Sequence, residues 1–443
     1  MSLRPGEIFC YLVLVCCAIL PLALPRSRPS LLEPATAPGG IAPPEAATLL
    51  PARYIVGVYA LSEQMGHPPA GGLADQLLST AQTPADRFRG LLVQRFLEGP
   101  GAADGAIRSL AEDHPALAPD ASLVLARDAA TEPAPEVAPA SEKQFIARHG
   151  YFARLALAQD LPNSDPARAA LLAVGIRTTL AMLVAGVTAL GAVMVGLVLL
   201  IVLIVLRTRD RLLPRFPRVV LPANRQPYLE AFTLYLLLLI PLPLLLARLD
   251  YTPRGLMIAL YALAPAVAIV WPLLRGRSWG EFRTMAALNT GRGVVREMGA
   301  GVVGYLAGLP LVAIALVVSL LLTAMAHKVA SHPIQNVISS DPRTLAALFA
   351  LASLLAPLFE EMMFRGLLYG QLRGRFSWVP AAVLSSLLFA AIHPQGWTLI
   401  PGLGAIGFVL ATLREQRNSI VASMTAHALN NTFALAVMAF ALS

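Results

Sequence analysis

The sequence predicts an all-α protein: a polytopic transmembrane helical bundle of about 8–9 spans with a small extramembrane helical domain near its N-terminus. Three observations lead there. Of the 443 residues, 56% are hydrophobic and 14% charged, where a soluble globular chain carries about 25% charged residues. Mean hydropathy is +0.65. The formal net charge of +8 is unevenly spread: residues 30–170 hold 10 basic and 16 acidic side chains, and the remainder holds 24 basic and 10 acidic. The basic excess therefore flanks the apolar segments, as the positive-inside bias requires. No basic run with aromatics stands apart from a membrane flank, so nucleic acid is not an expected partner. Cys10, Cys16 and Cys17 all lie in the first apolar run. That placement excludes a disulfide framework, a cysteine-based zinc site and a cysteine nucleophile elsewhere in the bundle.

Taken in order, the first element is the apolar run Ile8 to Leu24, preceded by Arg4. Its length lies between a signal peptide and a membrane span, and no clean A-x-A site precedes Pro25, which favours an uncleaved signal anchor over residues 1–25. Residues 26–175 change character. Pro and Ala dominate 25–51 and 129–141, which read as linkers. Between them Ala52–Gly66, Pro84–Glu98 and Ala103–Glu112 carry apolar residues at helical spacing, with Leu91, Leu92, Phe96 and Leu97 as one stripe. A further helix is expected over Glu142–Asp160. His67, His114 and His149 are scattered, and each reads as an ordinary surface or core histidine.

Residues 176–298 and 299–443 make up the membrane portion. The expected spans are Thr178–Leu206, Leu229–Ala247, Leu256–Leu274, Gly299–Met325, Leu345–Tyr369, Val379–His393, Leu399–Leu413 and Ile420–Leu442. Arginine clusters punctuate them. Arg207, Arg209, Arg211, Arg215 and Arg218 follow the first of these, and Arg275, Arg277 and Arg283 the third. Arg373 and Arg375 follow the fifth, and Arg414 and Arg417 the seventh. Simple alternation, counted with the anchor, puts all four clusters on one side, read as cytoplasmic, and the 26–175 region outside. Pro241, Pro243, Pro265 and Pro310 fall within spans, where packing kinks account for them. Arg283–Glu297 is too polar to span and fits the membrane surface.

The chemistry-bearing residues sit in the last four spans. Glu360 and Glu361 are adjacent in an otherwise apolar helix, and carboxylates at membrane depth mark a functional site by default. Glu360 lies about as far before the turn near Arg375–Trp378 as His393 lies after it, so a rise of about 1.5 Å per residue places both at similar depth. His427 follows the Arg417 loop closely enough to converge on them. Glu361 and Arg365 are i,i+4 partners, which leaves Glu360, about 100° round the helix, free to act. Phe389 is i,i+4 to His393 and can buttress its ring. His427 and Asn431 are likewise i,i+4, an imidazole and an amide aimed at one point, as an oxyanion requires. Asn430, at i+3, is the less favoured alternative.

Glu360-Glu361-x-x-x-Arg365, Phe389-x-x-x-His393 and His427-x-x-x-Asn431, taken with Phe364-Arg365-Gly366, resemble the three-motif signature of the type II CAAX prenyl endopeptidases, also called the CPBP or Abi family of intramembrane proteases. The resemblance covers roughly residues 300–443. It implies a peptide hydrolase in which Glu360 activates a water, His393 orients or polarises that water, and His427 and Asn431 form the oxyanion hole, with Glu361, Arg365 and Phe389 in support. Metal-independent glutamate chemistry with no cofactor is the favoured reading, because Asn431 at i+4 from His427 suits an oxyanion hole. An alternative remains open in which Glu360, His393 and His427 form a His₂Glu zinc set with Glu361 as base, although no H-E-x-x-H is present. A non-enzymatic membrane scaffold or immunity protein, and a proton-relaying transporter, are the rival classes; no inverted repeat supports the latter. The expected partners are membrane lipid and a peptide or protein substrate that is itself membrane-anchored. The signal-like N-terminus and Ala/Pro/Arg-rich composition read as bacterial, which places the chain in an inner membrane and separates it from prenylated substrates.

Overall fold

The computed structural model describes residues 4–23, 41, 44, 46–67, 71–99, 101–126, 139–209, 224–249, 254–326, 342–393 and 395–442. Most of both Pro/Ala-rich linkers, together with Arg211, Arg215, Arg218 and Pro394, lies outside these residues, as does the predicted anchor's end at Leu24 and Pro25. Among the described residues every element is helical. In chain order the helices are α1 (Pro5–Ala23), α2 (Ala46–Gln64), α3 (Asp75–Thr80), α4 (Pro84–Glu98), α5 (Asp104–Asp113), α6 (Ala118–Ala126), α7 (Pro139–His149), α8 (Tyr151–Leu157) and α9 (Pro166–Thr208). There follow α10 (Gln226–Leu239), α11 (Pro241–Arg248), α12 (Arg254–Leu274), α13 (Trp279–Met285), α14 (Val294–Met325), α15 (Pro342–Ala350), α16 (Ala356–Glu361), α17 (Tyr369–Arg373), α18 (Trp378–Ala391), α19 (Ile400–Arg417) and α20 (Val421–Leu442). The chain divides into two compact units, one built on residues 32–186 and the other on 1–31, 187–326 and 340–436.

The unit built on 32–186 has a core of its own. Phe88, Leu92, Phe96, Ile107, Phe145 and Phe152 are buried in it, and of the expected stripe Leu91, Leu92 and Phe96 are buried while Leu97 packs at the edge. α4 begins where its sequence says it should: Thr83 accepts a hydrogen bond from Asp86 N, and Pro84 opens the first turn. α2 and the first turns of α9 cross at two glycines. A Cβ on Gly57 would lie 2.1 Å from the Gly175 carbonyl oxygen, and Thr179 Oγ1 donates to Tyr54 O at 3.0 Å. His67 and His114 are exposed, whereas His149 is buried.

The other unit is the membrane bundle. Five helical stretches are long and apolar enough to cross a bilayer: Pro166–Thr208, Gln226–Leu246, Val294–Met325, Arg343–Arg373 and Trp397–Arg417. Pro5–Leu20, Leu263–Leu274 and Trp378–Ala391 are shorter apolar helices. α20 falls outside both groups because His427, Asn430 and Asn431 dilute its hydropathy; the residues that suggest a function also weaken its membrane signal. Leu190, Met194 and Val198 of α9 are exposed apolar side chains, as lipid contact requires. A Cβ on Gly196 would lie 2.1 Å from Leu306 O, so α9 and α14 cross at close range.

One end of the bundle is tied together by arginines. Glu230 accepts from Trp271 Nε1 at 2.9 Å and Arg275 Nε at 3.1 Å. Arg373 pairs with Glu415 at 2.9 Å, Arg417 with Glu297 at 2.7 Å, and Arg375 with Glu7 of α1 at 2.7 Å. Arg225 Nη2 donates to Gly374 O at 3.4 Å and Gln226 Nε2 to Glu230 at 3.0 Å, which brings the Arg275, Arg373 and Arg375 pairs to one end of the bundle. α13 is a seven-residue helix opened by a capping box between Ser278 and Glu281, and it ends just inside the polar stretch Arg283–Glu297.

Candidate active site

The glutamates lie on an irregular helix. α15, α16 and α17 form one continuous rod, but Leu351–Leu355 and Met362–Leu368 are wound as π-helix, so the α-helical turn that bears Glu360 and Glu361 is flanked on both sides by wider turns. Such turns free backbone carbonyls and re-aim side chains, and they concentrate at functional sites. Here one freed carbonyl finds a partner on another helix: Asn431 Nδ2 donates to Ala352 O at 2.8 Å. Close packing holds the rod in place. A Cβ on Gly366 would lie 2.8 Å from Ala286 Cα, so that position has no room for a side chain.

Glu361 faces inward with no exposed surface, and Arg365, also fully buried, donates from Nη1 to its Oε1 at 2.9 Å. The i,i+4 pair read from the sequence is therefore present. The guanidinium is further held by Gly407 O, 3.1 Å from Nη2, and lies 4.5 Å above the Phe389 ring, a cation–π contact strengthened by desolvation. The same Glu361 oxygen lies 2.9 Å from Nδ1 of His427, 66 positions away in sequence.

Glu360 is placed differently. Its side chain is 27% exposed, yet its Oε2 is buried and has no hydrogen-bond partner among the described residues. That oxygen lies 3.7 Å from Nε2 of His427, too far for a hydrogen bond and close enough for one small ligand to touch both atoms. The two adjacent carboxylates thus meet the two nitrogens of one imidazole.

Phe389 is the hub of the aromatic packing. Its ring centroid is 4.3 Å from that of His393, 5.8 Å from His427 and 5.2 Å from Phe364. The ring buttresses both imidazoles, where the sequence suggested only His393. His393 Nδ1 hydrogen-bonds to Phe389 O. A carbonyl only accepts, so Nδ1 carries the proton and Nε2 is the nitrogen available to a ligand. α18 has 14 residues and so rises about 21 Å, less than the roughly 30 Å hydrocarbon core. A helix of this length that starts at one interface therefore ends inside the membrane.

Asn431 is engaged with Ala352 O through one amide hydrogen, leaving one for a ligand. Asn430 Nδ2 donates to Asn431 Oδ1 at 3.3 Å, and Tyr305 OH donates to Asn430 Oδ1 at 3.4 Å. Sequence reasoning did not reach Tyr305, Ala352 O, Gly407 O or the Glu361–His427 contact. Tyr305 left a faint signal, a lone phenol within an apolar span. The two carbonyls left none, since every residue has one.

Zinc was the open alternative at this site. Among the described residues no three His, Cys, Asp or Glu side chains are grouped so as to hold a metal ion. Both histidines turn Nδ1 to protein oxygens and keep Nε2 available, an orientation that zinc-bound histidines also adopt.

Residues 342–433 match the protein family described as type II CAAX prenyl endopeptidase Rce1-like. The matched stretch contains all three motifs from which the resemblance was read. No curated protein and no solved structure matches the chain.

Proposed function

We propose that this integral membrane protein is an intramembrane endopeptidase that hydrolyses a peptide bond with a water activated by Glu360. The observation that supports this reading most is the disposition of Glu360: a carboxylate with one buried, unpartnered oxygen 3.7 Å from His427 Nε2, in a bundle where such groups are costly unless used. The water oxygen attacks the scissile carbonyl carbon while its proton passes to Glu360, general-base chemistry worth about 10²–10⁴ in rate. The C–N bond then breaks, and the proton is delivered to the departing amine. His393 Nε2 orients the water. The remaining amide hydrogen of Asn431 faces the tetrahedral oxygen, joined by His427 Nε2 when that ring is protonated on both nitrogens, and a low-dielectric setting makes such donors more effective. No step runs through a metal.

The substrate class we propose is a membrane-anchored peptide or protein that enters the bundle from the lipid. The composition that reads as bacterial sets it apart from prenylated CAAX termini, and nucleic acid has no place in the reading. Comparative membrane proteomics of wild type against Glu360→Gln and His393→Ala, each expressed at equal level, tests the proposal. Cleavage products present in wild type and missing from both variants are expected; an unchanged product set in both variants would sink it. Activity in a reconstituted assay is expected to survive a zinc-stripping chelator, and chelator-sensitive activity restored by zinc would replace the glutamate mechanism with the metal one.

A further inference from the structure

We infer that Glu361 is a positioning residue that fixes the tautomer of His427, and so decides which ring nitrogen faces the reacting atoms. Glu361 Oε1 lies 2.9 Å from both Arg365 Nη1 and His427 Nδ1. Arginine stays protonated and a carboxylate only accepts. The oxygen shared by these two groups must therefore receive a hydrogen from each, and the His427 proton resides on Nδ1. Nε2, turned toward Glu360 Oε2 at 3.7 Å, is the working nitrogen. Glu361 and Arg365 have no exposed surface and His427 only 4%, so water does not compete for these hydrogen bonds.

The orienting chain runs through three separate stretches of the fold: Gly407 O holds Arg365 Nη2, Arg365 Nη1 holds Glu361, and Glu361 holds His427. A carboxylate that orients an imidazole in this way is the logic of the hydrolytic triads, where the wrong tautomer costs about 10⁴ in kcat. One chemical consequence is specific. A neutral His427 offers only a lone pair at Nε2, so it donates to an oxyanion from that nitrogen only when doubly protonated. Gln at position 361 would keep the assignment, because one carbonyl oxygen at the Oε1 position still accepts from both Arg365 Nη1 and His427 Nδ1. Leu would remove the acceptor, and with it the preference for a proton on Nδ1.

The effect on rate rests on the peptidase reading; the tautomer rests on geometry alone. Full-length protein in detergent, labelled with ¹⁵N-histidine, separates the two. Seven histidines are present, and the His427 signal is the one missing from His427→Gln. The wild-type neutral ring is expected to show a protonated Nδ1 and a bare Nε2, and Glu361→Leu to lose that preference. Glu361→Asp, which keeps the charge, is expected to restore the wild-type pattern in part. In a cleavage assay Glu361→Leu should lower kcat on the order of 10²–10⁴-fold with little change in KM. Combined with His427→Ala it should be no slower than His427→Ala alone, because Glu361 acts through that ring. A wild-type proton on Nε2, an unchanged tautomer in Glu361→Leu, or additive losses in the double variant would each overturn the inference. If a variant fails to fold, the wild-type tautomer decides by itself. Absence of any cleavage by wild type would remove the peptidase reading and leave the tautomer assignment standing.

Discussion

Both units of this protein bury a carboxylate, an arginine and a histidine against one another, and the two clusters end differently. In the unit built on 32–186, Asp120 accepts from Arg148 Nη2 through Oδ1 and lies 3.1 Å from His149 Nε2 through Oδ2. Arg89 closes the cluster by donating to Arg148 O at 3.0 Å and pairing with Asp86 at 3.0 Å. The rings of Phe88 and Phe145 lie 5.1 and 5.3 Å from His149, and the other ring nitrogen has no hydrogen-bond partner among the described residues. In the membrane bundle Glu361, Arg365 and His427 repeat the same three residue types, but the second nitrogen of His427 meets Glu360, a partly exposed carboxylate. One histidine ends in a wall of phenylalanine and the other in a second acid. Shared composition therefore says little about function; what separates the two clusters is what the last nitrogen faces.

The contrast can be broken or sharpened at several positions. The largest effect is expected from Glu360→Gln, which should cut substrate cleavage on the order of 10²–10⁴-fold while the protein stays folded in detergent. The matched change Asp120→Asn should leave cleavage per folded molecule unchanged, and a comparable loss from both would erase the distinction. Asp120→Ala strands Arg148 without its buried partner, and such a break costs about 3–5 kcal/mol. Limited proteolysis of the full chain should then cut within 139–157 well before the membrane helices open. Gly57→Ala places a methyl 2.1 Å from Gly175 O and should cost about 1–3 kcal/mol through forced separation of α2 and α9, read as a lower thermal midpoint.

The smallest effect is one of pH. Burial pushes the His149 imidazole below its ordinary value, with Asp120 opposing. The folded unit therefore prefers the neutral ring, and the unfolded chain binds a proton that the folded one does not. Stability from this group is fully present above the unfolded histidine pKa of about 6.5 and is lost as pH falls toward the lower folded value. The protection of backbone amides over 139–157 against hydrogen exchange, taken relative to their intrinsic rate at each pH, should fall between neutral pH and pH ~5 in wild type, and His149→Phe should flatten that dependence. An equally steep dependence in the variant would assign the effect to other groups.

Much of this was legible in the sequence, and the reason is locality. Hydropathy is a sum over neighbours, so the helical membrane class emerged from composition. Arginine flanks are read the same way, and the structure gathers those at Arg275, Arg373 and Arg375 at one end. The Glu361–Arg365 pair follows from helical spacing alone and forms at 2.9 Å. The first π-helical turn left a signal in Pro357, which has no N–H for Ser353 O and disfavours an ordinary α-helix through Leu351–Leu355, whereas nothing in Met362–Leu368 forbids one.

By itself the sequence determined which residue types lie in which helix, and that Glu360, His393 and His427 share a bundle. Only the tertiary structure decided who faces whom. Glu361 meets His427 across 66 positions and Asn431 meets Ala352 across 79, and no spacing rule reaches that far. Those contacts depend on how each helix is rotated and how closely it approaches its neighbours. Both are set where side chains leave room, as at Gly366 against Ala286 and at Gly407, where a Cβ would lie 3.0 Å from the Ser386 side chain. The physical reason is that interhelical geometry is a property of the packed interior as a whole, whereas hydropathy and i,i+4 pairing are complete within one helix.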